Sequence, residues 1–118
     1  MKARLPLAEV INMQRQILTP NELSTALSTL AGWTAVSTES GSDRISGILT
    51  KRYSFPNFAE ALEFVNRVGA LAEAADHHPD ITFGWGYAEL ALTTHDRGGV
   101  TDVDIALALA IDKLDPQE

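Results

Sequence analysis

The stretch "AEAADHHPDITFGWGYAELALTTHD", residues 72–96, joins the end of a helical pattern to strand patterning, and the order of elements follows from where that change falls. Before it, Phe58, Ala61, Leu62, Val65, Val68 and Ala72 recur on one helical face, which predicts a helix opened by the Asn57/Glu60 cap-and-return pair and running to about Ala75. Pro79 has no amide hydrogen and its ring clashes with a preceding turn, so the helix cannot pass it. Beyond it, "ITFGWGYAELALTT" (81–94) reads as strand material, with Gly84 and Gly86 marking a bulge or bend.

Working outward, "WTAVSTESGSDRISGILTKRYSF" (33–55) reads as two strands joined at Ser40-Gly41-Ser42-Asp43, with β-branched and aromatic residues on either side of the turn cluster. In "TPNEL", Thr19 is an N-cap, Pro20 the first helical residue and Glu22 the capping-box partner; Leu23, Ala26, Leu27 and Leu30 follow on one face until Gly32. Thr101 and Asp104 open a last helix carrying Val103, Ala106, Leu107, Ala110, Ile111 and Leu114. The order is αββαββα. Two successive hairpin-like pairs cannot make an all-parallel sheet without long crossovers. The expected class is therefore α+β: one domain over 19–118, a four-stranded antiparallel sheet covered on one face by helices, preceded by an arm or loosely attached helix over 1–18.

Composition bounds the function. The chain has 118 residues, 45% apolar, which suffices for one core without staples. Sixteen acidic against nine basic side chains give a net charge of −7, and no basic patch interrupts it, so nucleic acid and anionic membrane surfaces are not expected partners. The absence of cysteine removes disulfides and thiolate catalysis and fits a reducing compartment. "MKARLPLAEVINMQRQ" lacks the apolar run and cleavage pattern of a signal peptide, and no stretch reaches the roughly 18 apolar residues of a spanning helix, so the expected location is the cytoplasm.

All three histidines, His77, His78 and His95, lie in the opening stretch. His77 and His78 are adjacent, so on a helix they would point roughly 100° apart and would not chelate as an i,i+4 pair does. A zinc site of the three is chemically conceivable and would make the chain a metal-dependent hydrolase, but no HExxH-like spacing supports it; the reading assigns no metal and no cofactor. Histidines at element ends also simply complement helix dipoles. Carboxylates favour more than that. Glu73 lies four residues before His77 on the same helical face, and Asp104 lies nine after His95, where folding could join them; Asp104 also has a sufficient purpose as a capping-box residue. Imidazoles beside carboxylates suit proton transfer on an organic substrate. No nucleophile or phosphate-binding loop is evident.

"EAADHHPDITFGW", the step from Trp85 to His95, "THDRGG" and the step from His95 to Asp104 resemble the signature of the pterin-4a-carbinolamine dehydratases, as do "LAGW" (30–33) and "YSFPNFAEALEFVNRVGALAE" (53–73). The resemblance covers about residues 20–115. It implies an αββαββα fold and a hydro-lyase acting in tetrahydrobiopterin recycling, which removes water from a 4a-hydroxytetrahydropterin to give the quinonoid dihydropterin. Carried over by position, it implies proton transfer by His77 and His95, substrate binding by His78, support from Glu73 and Asp104, and a pocket tryptophan at Trp33. Trp85 stands where many members have tyrosine. The resemblance also implies a homodimer or homotetramer and a supplying aromatic amino-acid hydroxylase. Ile105, Leu109 and Ile111 widen the apolar surface of the last helix, which suits such an interface and equally suits burial within its own domain. Relatives that act as a transcription-factor dimerisation cofactor or as enzyme-assembly chaperones supply the alternative, a non-catalytic interaction protein on the same scaffold.

Overall fold

The computed structural model describes residues 14–37 and 47–115. Helix α1 (Pro20–Leu27) leads to strands β1 (Thr34–Ser37) and β2 (Gly47–Ser54), helix α2 (Phe58–Ala75), strands β3 (Asp80–Gly84) and β4 (Tyr87–Leu92), a 3₁₀ turn (His95–Arg97) and helix α3 (Asp102–Asp112). This is the αββαββα order expected. The predicted turn at Ser40-Gly41-Ser42-Asp43 lies outside the described residues.

The sheet has the order β1-β2-β4-β3 with every neighbouring pair antiparallel. Because β2 and β3 both run antiparallel to β4, they are parallel to each other. The 18-residue α2 supplies the crossover that such a pair requires. Register aligns one apolar face: Leu49 opposes Leu92, Lys51 opposes Leu90, Tyr53 opposes Ala88, and Ile81 opposes Leu90 from the other side. Leu49, Ala88, Leu90 and Leu92 are fully buried on that face, while Arg52 and Glu89 occupy the other, exposed one. The helices pack on the apolar face, with Phe64 and Val68 of α2 and Val103, Leu107 and Ile111 of α3 in the core. Burying each such side chain contributes about 1.5–3 kcal/mol relative to leaving it in water.

Among the described residues, all three α-helix starts are the capped ones read from the sequence. Thr19/Glu22 and Thr101/Asp104 form complete capping boxes, and Asn57 accepts from the amide of Glu60. Of the bulge or bend expected at Gly84 and Gly86, the structure shows the bend: Gly84 pairs with Tyr87 across a two-residue Trp85-Gly86 turn, with Gly86 at φ +85°, so the glycines close a hairpin. One detail differs from expectation. Helix α1 ends at Leu27, and the chain reaches the buried Leu30 through turns before Gly32 reverses at φ +86°. In α3, Ile111 belongs to the core, Ile105 is partly buried and Leu109 is exposed.

Candidate active site

The site is set by how α2 ends. Asp76 adopts a left-handed conformation (φ 54°, ψ 43°), the amide of His77 donates back to the Ala72 carbonyl at 3.1 Å, and that of Asp76 to Glu73 at 3.2 Å. Aspartate tolerates this conformation better than most residues other than glycine. The reversal takes His77 off the face it would share with Glu73 in a continuing helix. His77 turns inward, 6% exposed, with Nε2 at 2.6 Å from Asp104 Oδ1. His78 stays outside, with Nε2 at 2.5 Å from Glu73 Oε2. The pairing read from linear spacing is therefore exchanged: Asp104 serves His77 instead of His95, and Glu73 serves His78 instead of His77.

Asp104 is completely buried in the first turn of α3. Its Oδ2 accepts from the Thr101 amide and from the Thr94 hydroxyl, both at 2.8 Å. Thr94 spends its hydrogen on Asp104, so Thr101 donates its own to Thr94 Oγ1 at 2.8 Å and accepts from the Val103 amide at 3.3 Å. Among the described residues, every buried side-chain nitrogen and oxygen is paired. The helix N-terminus and these donors stabilise a carboxylate that burial alone would strongly disfavour. As the acceptor at Oδ1, Asp104 fixes the imidazole tautomer: Nε2 carries the hydrogen and Nδ1 keeps a lone pair.

That lone pair faces Arg15. The guanidinium Nη1 stands 3.4 Å from His77 Nδ1, and Nη2 donates to the Asp76 carbonyl at 3.0 Å. Since arginine only donates, its position agrees with the tautomer that Asp104 selects. The segment is held by the backbone that follows: Gln16 N–H donates to Asp102 Oδ1 at 3.2 Å, Ile17 bridges Thr101, and Leu18 N–H donates to Val100 O at 3.1 Å. Arg15 and Thr94 escaped the sequence reading. Both are ordinary in sequence; Arg15 betrays itself only in three dimensions, by a positive φ of 57° outside glycine.

His95 follows Thr94 directly and opens the 3₁₀ turn, closed by Gly98 N–H donating to Thr94 O at 2.9 Å. With Thr94 directed inward to Asp104, the adjacent His95 lies exposed, and its ring makes no hydrogen bond among the described residues. Trp33 is not brought to this cluster. Its indole N–H donates to Asp112, eight residues beyond Asp104 and so roughly 12 Å farther along α3. No group of three or more His, Asp or Glu side chains is placed to hold a metal among the described residues.

Residues 16–114 match the family described as "Pterin 4 alpha carbinolamine dehydratase", and the chain belongs to that family. Relatives named "Putative pterin-4-alpha-carbinolamine dehydratase" include one from Koribacter versatilis, 43% identical over 84% of this chain and 96% of its own, and one from Mycobacterium sp. (strain JLS), 38% identical over 83% and 95%. A relative so named from Rubrobacter xylanophilus is 53% identical over 56% of this chain, and the match spans 62% of that protein. Among solved structures, a transcriptional coactivator/pterin dehydratase from Brucella melitensis superposes with a TM-score of 0.74 at 29% identity, covering 85% of this chain and 99% of that one. A pterin dehydratase-like protein identified as a RuBisCO assembly factor in the alpha-carboxysome gives 0.56 at 27% identity, covering 72% and 90%.

Proposed function

We propose that the chain eliminates water from a 4a-hydroxytetrahydropterin, with His77 and His95 as the proton-transferring pair. The observation that carries this reading is the His77–Asp104 bond, which leaves Nδ1 of a held imidazole with a lone pair met only by the 3.4 Å approach of Arg15. In the reaction, Nδ1 takes the proton from the ring nitrogen beside the carbinolamine carbon. That nitrogen's electron pair forms the C=N bond, the C–O bond breaks, and the departing hydroxyl takes a proton from His95 and leaves as water. One proton is taken and one given, and solvent exchange resets both rings. Asp104 orients His77 and offsets the charge the ring acquires, the part a buried carboxylate plays behind a catalytic histidine. His78, with Glu73 behind it, stands at the exposed side as a substrate-binding group.

The setting proposed with this activity is tetrahydrobiopterin recycling in the cytoplasm, with a homodimer or homotetramer as the working form and an aromatic amino-acid hydroxylase as the source of the carbinolamine. A second reading, a non-catalytic assembly factor, is favoured by the likeness to the carboxysomal protein. It gives no reason for a histidine held by a buried carboxylate whose other partner, Thr94, directly precedes the exposed His95.

Stopped-flow dehydration of 4a-hydroxytetrahydropterin separates the two. The wild-type chain should exceed the spontaneous rate, and His77→Ala and His95→Ala should each lose about 10²-fold or more of the enhancement. A folded wild-type chain giving only the spontaneous rate would sink the catalytic reading.

A further inference from the structure

Arg15 and His77 present a donor and an acceptor side by side. Their separation, 3.4 Å, exceeds the usual range of about 2.7–3.2 Å for a nitrogen donor, so neither atom is well satisfied by the other. The guanidinium is anchored elsewhere, through Nη2 to the Asp76 carbonyl at 3.0 Å, and its backbone is in the left-handed region although it is not glycine. Such a conformation costs of order 1–3 kcal/mol and persists only where the surroundings hold it. Here the surroundings are the bonds of Gln16, Ile17 and Leu18 to the segment leading into α3.

From this juxtaposition we propose that Arg15 is a substrate-binding residue, which donates to the C4 carbonyl of the pterin while Nδ1 of His77 accepts from the neighbouring N5–H. The inference rests on the dehydratase reading and extends it to the substrate edge. In a pterin the C4 oxygen and N5 are adjacent positions along one edge, an acceptor beside a donor. The pair formed by Nη1 and Nδ1 is its complement, a donor beside an acceptor. Substrate would give each group the partner it lacks, and Arg15 would keep its hold on Asp76 throughout. The charged donor also selects: a ring with an amino group at C4 would set a donor against a donor, a mismatch more costly than a missing contact.

The test is anaerobic calorimetry of 6-methyltetrahydropterin and of its 4-amino counterpart, binding to the wild-type chain, Arg15→Ala and Arg15→Lys. Arg15 sits outside the core, and the bonds of residues 16–18 do not involve its side chain, so both variants should fold; circular dichroism checks this. The wild type should bind the carbonyl form at least about tenfold more tightly than the amino form. Arg15→Ala should weaken the carbonyl form by about tenfold and abolish the preference, and Arg15→Lys should restore part of both. Unchanged affinity and preference in Arg15→Ala would overturn the role of Arg15 and leave the dehydratase reading intact. A wild type that binds neither ring would overturn both.

Discussion

Helix α3 carries a carboxylate near each end, and each gathers three side-chain or backbone donors, yet the two sets of donors lead to different places. At the start, Asp104 receives His77, Thr94 and the Thr101 amide. At the finish, Asp112 receives the Trp33 indole, the Tyr53 hydroxyl at 2.7 Å and the Lys51 ammonium at 2.9 Å, and Lys51 also donates to the Ala31 carbonyl. The hydrogen-bond arithmetic is the same. What differs is the far side of the donors. Trp33, Tyr53 and Lys51 tie α3 to β2 and to the turn after α1, and Trp33 and Tyr53 stack edge to face at 6.4 Å within the core. His77 has a second nitrogen that leads outward to Arg15. In the function proposed above, it is this second, outward-facing nitrogen that gives the Asp104 cluster a use the Asp112 cluster lacks.

The contrast can be broken experimentally, beginning where the effect is greatest. Asp104→Ala removes a capping residue and strands His77, Thr94 and the Thr101 amide in the interior; urea unfolding should show a loss of about 3–5 kcal/mol together with loss of turnover. A loss below about 1 kcal/mol would mean that the network is not holding the start of α3. Asp112 and Lys51 keep 16% and 13% of their side chains exposed, so water can reach the place Asp112→Ala vacates; a smaller loss of about 1–3 kcal/mol is expected, while turnover per folded molecule stays within about twofold of wild type. If turnover fell as far as in His77→Ala, the two ends of α3 would not be separate in function. The smallest change is expected from Glu73→Gln. Its bond to His78 lies on the surface, where such pairs contribute about 0–1 kcal/mol, so the unfolding midpoint should barely move; a shift equivalent to more than about 1 kcal/mol would show that this pair anchors the end of α2.

The helix starts were legible because a cap is local: Thr19 with Glu22, Asn57 with Glu60 and Thr101 with Asp104 each declare themselves within four residues. The strands were legible from patterning, and their antiparallel arrangement followed from the paired order. The end of α2 falls at Ala75, as the apolar stripe indicated, but the left-handed turn at Asp76 has no signal in "EAADHH", and that one residue reassigns both carboxylates. The glycines after β3 left a bulge and a bend both open, and the structure takes the bend, a two-residue turn at Trp85-Gly86. Arg15 could not be found from spacing at all, because its partner is 62 residues away. Trp33, which the resemblance implies as a pocket residue, bonds to Asp112, a contact that no spacing in the sequence announces.

The reach of Arg15 bears on how the protein is handled in the laboratory. A chain cut to the matched family boundaries, 16–114, would retain all three histidines, Glu73 and Asp104, and would pass any inspection of the signature. It would nonetheless begin one residue too late, without the guanidinium that faces His77. On the substrate contact proposed for Arg15, trimming to the signature removes a binding group that a cut one residue earlier keeps.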